Sequence, residues 1–126
     1  MQFALLIYGA EDDAPGYRDE TGYDTPAWKE IMARHDAYWA ELEAAGAVRG
    51  GAGLRPVATA RTLRVSAGGE RTVHDGPFAE TREQLGGFYL IEAPDMEAAL
   101  AWARKLPLDT AASIEVRPCF EGEPPA

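Results

Sequence analysis

Residues Phe3 to Tyr8 are apolar at every position. Six such residues in a row suit a strand covered on both faces better than one with a wet side. Side chains alternate along a strand, so Phe3, Leu5 and Ile7 turn one way while Ala4, Leu6 and Tyr8 turn the other. A chain built around this strand must supply cover for two faces of a sheet, and the rest of the sequence can be read for what provides it.

Helices cover one face. Thr25 followed by Pro26 is a helix start, with a capping hydroxyl and a proline at the first helical position, and Gly46 supplies the stop. The helix between them has about five turns. It carries Trp28, Ile31, Met32, His35, Trp39 and Leu42 at three- and four-residue spacings, which place all six in one stripe. His35 falls near the middle of that stripe, and a histidine on a buried face needs a partner. A second helix opens at Pro94 and Asp95, turns Met96, Ala99, Leu100 and Ala103 inward, favours its C-terminal end with Arg104 and Lys105, and stops at Pro107.

The remaining strands follow by alternation and punctuation. Ala47 to Leu54 is glycine-rich but strand-compatible; Arg61 to Ser66 and Arg71 to His74 flank the turn Ala67-Gly68-Gly69-Glu70 and form a hairpin. Gly86 to Glu92 is the next strand, its glycine pair suited to a bulge or a close backbone approach, and Ser113 to Arg117 is the last. Ala10 to Asp24 is acidic and loop-like, anchored by Tyr17 and Tyr23, and reads as a surface loop or a lid. Strand, helix, strand, hairpin, strand, helix, strand is a split βαβ order: an α+β, ferredoxin-like fold with an antiparallel sheet and both helices on one face. One domain is expected over residues 1–120, with a flexible tail at 121–126. The sheet face without helices needs its own cover, and a homodimer joined through those faces is the simplest.

Composition narrows the partners. Twelve Lys and Arg against 21 Asp and Glu give the 126-residue chain a formal net charge of −9, which disfavours direct binding of nucleic acid. The single cysteine, Cys119, excludes an intramolecular disulfide. No signal peptide or membrane span is evident, and a cytoplasmic location is expected.

The run His74-Asp75-Gly76-Pro77-Phe78-Ala79-Glu80-Thr81 concentrates titratable groups around a rigid turn. Its structural reading has Asp75 accepting backbone N–H bonds across the turn, Pro77 fixing its shape and Phe78 plugging it into the core; Glu80 pairs with Arg82 or Arg71 in solvent. Its chemical reading pairs Asp75 with His35, since a carboxylate on one imidazole nitrogen orients the ring and makes the other a better base. His35, His74, Asp75 and Glu80 lack a recognisable metal-ligand spacing, so no metal is expected. No phosphate loop, nucleophile elbow or dinucleotide fingerprint occurs, and no cofactor is expected.

Asp75 to Thr81, then Glu83-Gln84-Leu85-Gly86-Gly87-Phe88-Tyr89-Leu90-Ile91-Glu92, and finally Ser113-Ile114-Glu115-Val116-Arg117-Pro118, resemble the YCII-related family in its DGPF branch, over nearly the whole chain. The resemblance implies ferredoxin-like subunits in a dimeric α/β-barrel-like assembly, with a site between sheet and helix. It also implies a catalytic pair of a helix histidine and an aspartate just after the next strand. His35 matches the histidine, whereas the stretch Gly50 to Pro56 contains no acid. Two functions follow. One is a small cofactor-free enzyme working by acid–base chemistry, with His35 as base and Asp75 as its orienter, on a small, partly apolar molecule in a pocket of Trp28, Trp39, Phe88 and Tyr89. The other, which the resemblance admits, is a dimeric binding or regulatory module accessory to an extracytoplasmic-function sigma factor.

Overall fold

The apolar run becomes the inner strand of a four-stranded sheet. The computed structural model describes residues 1–11, 26–108 and 112–121; the acidic segment that follows Glu11, the Thr25 cap and most of the C-terminal tail lie outside the described residues. The elements are β1 (Gln2–Ala10), α1 (Pro26–Ala44), β2 (Val48–Gly53), a 3₁₀ turn (Val57–Thr59), β3 (Arg61–Val65), β4 (Arg71–Asp75), β5 (Glu83–Glu92), α2 (Met96–Arg104) and β6 (Ser113–Pro118). The sheet runs β2-β5-β1-β6 with every neighbouring pair antiparallel. This is the ferredoxin-like arrangement: each helix connects two parallel strands that are separated by one antiparallel strand.

Register decides what each face carries. Phe3 opposes Ile91 and Leu5 opposes Tyr89 across β1 and β5, and directly opposed residues share a face. Those four side chains are buried together with Tyr38 and Leu42 of α1 and Ala99 and Ala103 of α2, so both helices lie on this one face. On the other face β1 and β5 set Ala4 opposite Leu90 and Leu6 opposite Phe88, while β6 adds Glu115 and Arg117. These residues are half-buried or exposed and pack against no helix of the subunit.

The orientation of α1 differs from the stripe read in the sequence. Its buried residues are Tyr38 and Leu42; Trp28, Ile31, His35 and Trp39 are half-buried, and Met32 is exposed. Tyr38 lies about 40° from Leu42 around the helix, so the core-facing side is rotated away from the centre of the stripe. A tyrosine can occupy it because its hydroxyl donates to the Trp102 carbonyl at 2.7 Å, tying α1 to α2. The remaining aromatics therefore flank the core instead of filling it.

Helix ends follow the expected chemistry. At the end of α1 the Gly46 N–H donates to the Glu43 carbonyl at 2.9 Å and the Ala47 N–H to the Leu42 carbonyl at 2.8 Å, with Gly46 at φ +67°. That is a Schellman stop, and the left-handed residue it needs is the glycine. Asp95 caps α2 by accepting from the Ala98 N–H at 2.9 Å. No helix among the described residues is long and apolar enough to cross a membrane.

The expected glycine bulge is present. Strand β5 starts at Glu83, three residues earlier than anticipated, and its pairing with β1 shifts so that Ile7 opposes Gly87 and Tyr8 opposes Leu85. At Gly51 a side chain would begin 2.7 Å from the Phe88 carbonyl oxygen, so β2 can lie against β5 here only without one.

Strands β3 and β4 pair with each other and with no strand of the main sheet. The turn after them corrects two expectations. Phe78 is not in the core: it is 75% exposed, with the Arg64 guanidinium 5.5 Å above its ring and donating to its carbonyl at 3.0 Å. Asp75 pairs across the hairpin with Arg61 at 3.5 Å, and the turn is closed by Thr62, whose hydroxyl donates to the Gly76 carbonyl at 2.8 Å. The hairpin projects from the main sheet, so the turn's partners come from the hairpin itself.

Leu42 is fully buried where both helices meet the sheet. Leu42→Ala is expected to lower unfolding stability by about 2–5 kcal/mol, read as a lower urea midpoint with an unchanged slope.

Candidate functional site

Beside the core the chain leaves a cavity of about 730 Å³ between the N-terminal two-thirds of α1, strand β2, the start of β5 and the end of β1. It exists because the side chains that face it differ in size along its walls. From α1 come Trp28, Ile31, His35 and Trp39; opposite them β2 contributes Gly51, Ala52 and Gly53, which have almost no side chain to fill the gap. Trp28, His35, Trp39, Phe88 and Tyr89, all anticipated from the sequence, border this one cavity. Phe88 does so from its backbone side, since strand alternation turns its ring to the sheet face opposite Tyr89. Polar groups at the border are few: Asp36, Arg55, Gln84 and Glu11.

His35 is fixed from the sheet. Its Nδ1 lies 2.7 Å from the Tyr89 hydroxyl, and the two rings are nearly parallel at 6.0 Å. Tyr89 is itself held by Tyr38 edge-on at 5.1 Å and by Trp39 at 6.2 Å. Burial, with the Arg34 charge adding and Asp36 opposing, holds the imidazole below its ordinary value of 6.5. Burial first, then the Asp36 charge, pushes the Tyr89 phenol up to about 12. Both groups are therefore neutral at pH 7. The tautomer sets the direction of this bond: with the phenol donating to Nδ1 the ring proton resides on Nε2, and with Nδ1–H donating the phenol oxygen accepts.

The chain does not bring Asp75 to this histidine. Asp75 stands at the end of β4 with its side chain 94% exposed and paired to Arg61, outside the cavity border. His74 lies on the same exposed hairpin, its Nε2 3.2 Å from the Thr72 hydroxyl. Among the described residues no group of three or more His, Cys, Asp or Glu side chains is arranged to hold a metal ion. Glu80 borders a separate depression with Arg82, Thr81 and Gln84.

Comparison with known proteins gives the family. The model of the YCII-related domain matches residues 1–122. The chain belongs to the YCII-related family. An uncharacterized protein of Rhizobium meliloti (strain 1021) is 43% identical over 120 residues, covering 94% of this chain and 91% of the relative. In this YCII-related domain the stretch Gly51 to Arg55 runs along the cavity, and glycine, alanine and leucine precede Arg55 there. Sequence reasoning missed Tyr89 as the partner of His35. The signal was available: Tyr89 shares strand parity with Ile91 and so faces the helices, and a half-buried histidine above a tyrosine has an obvious donor.

A histidine held below its ordinary value costs stability on acidification, because the unfolded chain binds a proton below about 6.5 that the folded chain resists. The His35 resonance is expected to titrate with a midpoint below 6.5. The melting temperature should fall as pH drops below that value, and His35→Phe should remove that part of the fall.

Proposed function

We propose that this domain binds a small, partly apolar molecule in the cavity beside α1 and acts on it by cofactor-free acid–base chemistry at His35. The observation that carries the reading is the His35–Tyr89 hydrogen bond within an aromatic-walled cavity. Three aromatic side chains and a strip of bare backbone favour a flat apolar body, and the His35 ring offers Nε2–H as the donor for a polar atom on it. Tyr89 takes the orienting part that the sequence reading gave to Asp75. A carboxylate at that nitrogen would hold a charge ready to stabilise an imidazolium; a neutral phenol does not. His35 therefore works first as a hydrogen-bond donor that polarises an oxygen of the bound molecule, such as a carbonyl, and not as a strong base.

The run Asp75-Gly76-Pro77-Phe78 supports a place in the DGPF branch of the family. The uncovered face of Ala4, Leu6, Phe88 and Leu90 supports a homodimer of the α/β-barrel-like kind, because a face this apolar is seldom left to water. The missing carboxylate also favours a second reading, a binding module that senses its ligand without converting it.

Thermal-shift screening of small aromatic and conjugated carbonyl compounds tests the pocket. A genuine ligand at a hundred times its Kd stabilises by about 2.7 kcal/mol, and Trp39→Ala and His35→Ala should both abolish the shift or reduce it severalfold while the fold persists. Product that appears with wild type and forms about 10²-fold or more slowly in His35→Ala marks an enzyme. A ligand that binds through His35 but is recovered unchanged assigns the sensing role. Hits insensitive to both substitutions would move the site elsewhere.

A further inference from the structure

Gln84 stands at the end of the cavity farthest from the core. Register puts it there: Ile7, which packs against the core, opposes Gly87, and past the bulge Gly9 opposes Gln84. Gln84 therefore returns to the face that carries Tyr89, and it borders the cavity. Its amide is fixed from outside. Nε2 donates to the Ala79 carbonyl at 2.7 Å and to the Thr81 carbonyl at 2.9 Å, both in the segment that joins β4 to β5 and neither on the cavity border. Because both partners are carbonyl oxygens, the amide fits only one way round, and its two protons are spent. Oε1 accepts no hydrogen bond among the described residues, so an acceptor is what Gln84 has left to present to the cavity.

Between Tyr89 and Gln84 the floor is backbone. Gly87 is the helix-side residue between them on β5, and its partner on β2 is Gly53. At Gly87 an added Cβ would begin 3.0 Å from the Ala52 carbonyl oxygen, a crowding that keeps this floor bare. Helix α1 runs back from the end of β1, so His35, Ile31 and Trp28 succeed one another toward the Gln84 end. Five residues of strand span roughly 16 Å, and a hydrogen bond of about 3 Å at each end leaves roughly 10 Å between the polar atoms of a ligand lying along it. Two fused rings with a polar atom at either end have that length. Three charged residues share the border. Asp36 follows His35 on α1; Glu11 accepts from the Val57 N–H at 2.7 Å and, like Gln84, also borders the neighbouring depression; Arg55 follows β2. Glu11 adds an acceptor and disfavours an anion at this end, whereas Arg55 favours an acceptor on the ligand.

We propose that Gln84 is the second polar anchor of the cavity, a specificity-determining acceptor for a hydroxyl or N–H group of the ligand, opposite the donor at His35. The proposal rests on the reading of the cavity given above and names its ligand class: a flat conjugated molecule with a carbonyl at one end and a hydroxyl at the other. Conjugation makes the two contacts support each other. A hydrogen bond to the carbonyl draws electron density from the far hydroxyl, which then donates more strongly to Gln84. The segment after β4 thereby gains a part in recognition. Ala79 and Thr81 never reach the cavity, but their carbonyls decide which end of the Gln84 amide does.

Isothermal titration calorimetry with 6-hydroxy-2-acetylnaphthalene and its methyl ether, 6-methoxy-2-acetylnaphthalene, tests the anchor. The ether keeps the rings, the carbonyl and an acceptor oxygen and loses the proton to be donated. Wild type should bind the hydroxy compound about tenfold or more tightly than the ether, since a site built around a hydroxyl rejects the analogue without its proton. Gln84→Leu removes both ends of the amide, whereas Gln84→Lys keeps a donor for the Ala79 and Thr81 carbonyls and removes the acceptor. Both variants should bring the preference to about twofold or less, with an unchanged circular dichroism spectrum. A preference lost in Gln84→Leu but kept in Gln84→Lys assigns Gln84 to holding the turn and overturns the anchor. Equal binding of the two compounds by wild type, or tighter binding of the ether at Arg55, overturns it as well; if His35→Ala then abolishes both, the reading of the cavity survives. Binding of the hydroxy compound that depends on Gln84 but is unchanged in His35→Ala upholds the anchor and overturns His35 as its counterpart. A wild type that binds neither compound refutes the two-ended ligand class, while a thermal shift with a smaller carbonyl compound would still uphold His35.

Discussion

Pairing of β1 with β5 is the constraint from which the rest of the subunit follows. It sets Phe3 against Ile91 and Leu5 against Tyr89 on the side where both helices land. Tyr89 then serves three structures with one side chain: it is part of the core, it receives the edge of Tyr38, and its hydroxyl holds His35. Displacing the register by one residue would send Tyr89 to the opposite face and put Phe88 under α1. The core would lose little hydrophobicity, but the imidazole would lose its hydrogen-bond partner. Stability and site geometry are written into the same strand pair.

The sequence was informative where periodicity and punctuation are strong. Strand order, both helices, the glycine stop at Gly46 and the Asp95 cap are local signals that tertiary packing did not override. The rotation of α1 was hidden because a three- and four-residue stripe fixes a face only to within the width of one side chain. Tyr38, polar at its tip, falls outside a stripe drawn from tryptophan, methionine and leucine. Its bond to the Trp102 carbonyl joins residues 64 apart, and no local pattern foretells that. Five residues of the pocket were legible, since aromatics at helical and strand spacing converge once the helix lies on the sheet. The pairing of His35 was not, because the nearest-looking acid, Asp75, is carried off on a hairpin that never joins the main sheet.

Electrostatics at the site run toward neutrality. Burial acts on both His35 and Tyr89 in the sense that removes charge, and a hydrogen bond between two neutral groups at 2.7 Å asks for no counterion. The molecule is strongly acidic overall, yet the His35–Tyr89 pair places no fixed charge at its part of the cavity border. This suits ligands whose recognition comes from shape and hydrogen bonding.

The bare backbone of β2 decides which side chains this wall of the cavity can carry. At Gly51 a side chain would collide with the neighbouring strand, whereas at Gly53, also on the cavity border, an added Cβ would meet nothing within 4 Å. There is thus space for a Cβ at Gly53, one residue before Leu54, where this chain carries none. Along one strand the same wall is closed to any side chain at one glycine and open to its first atom at the other.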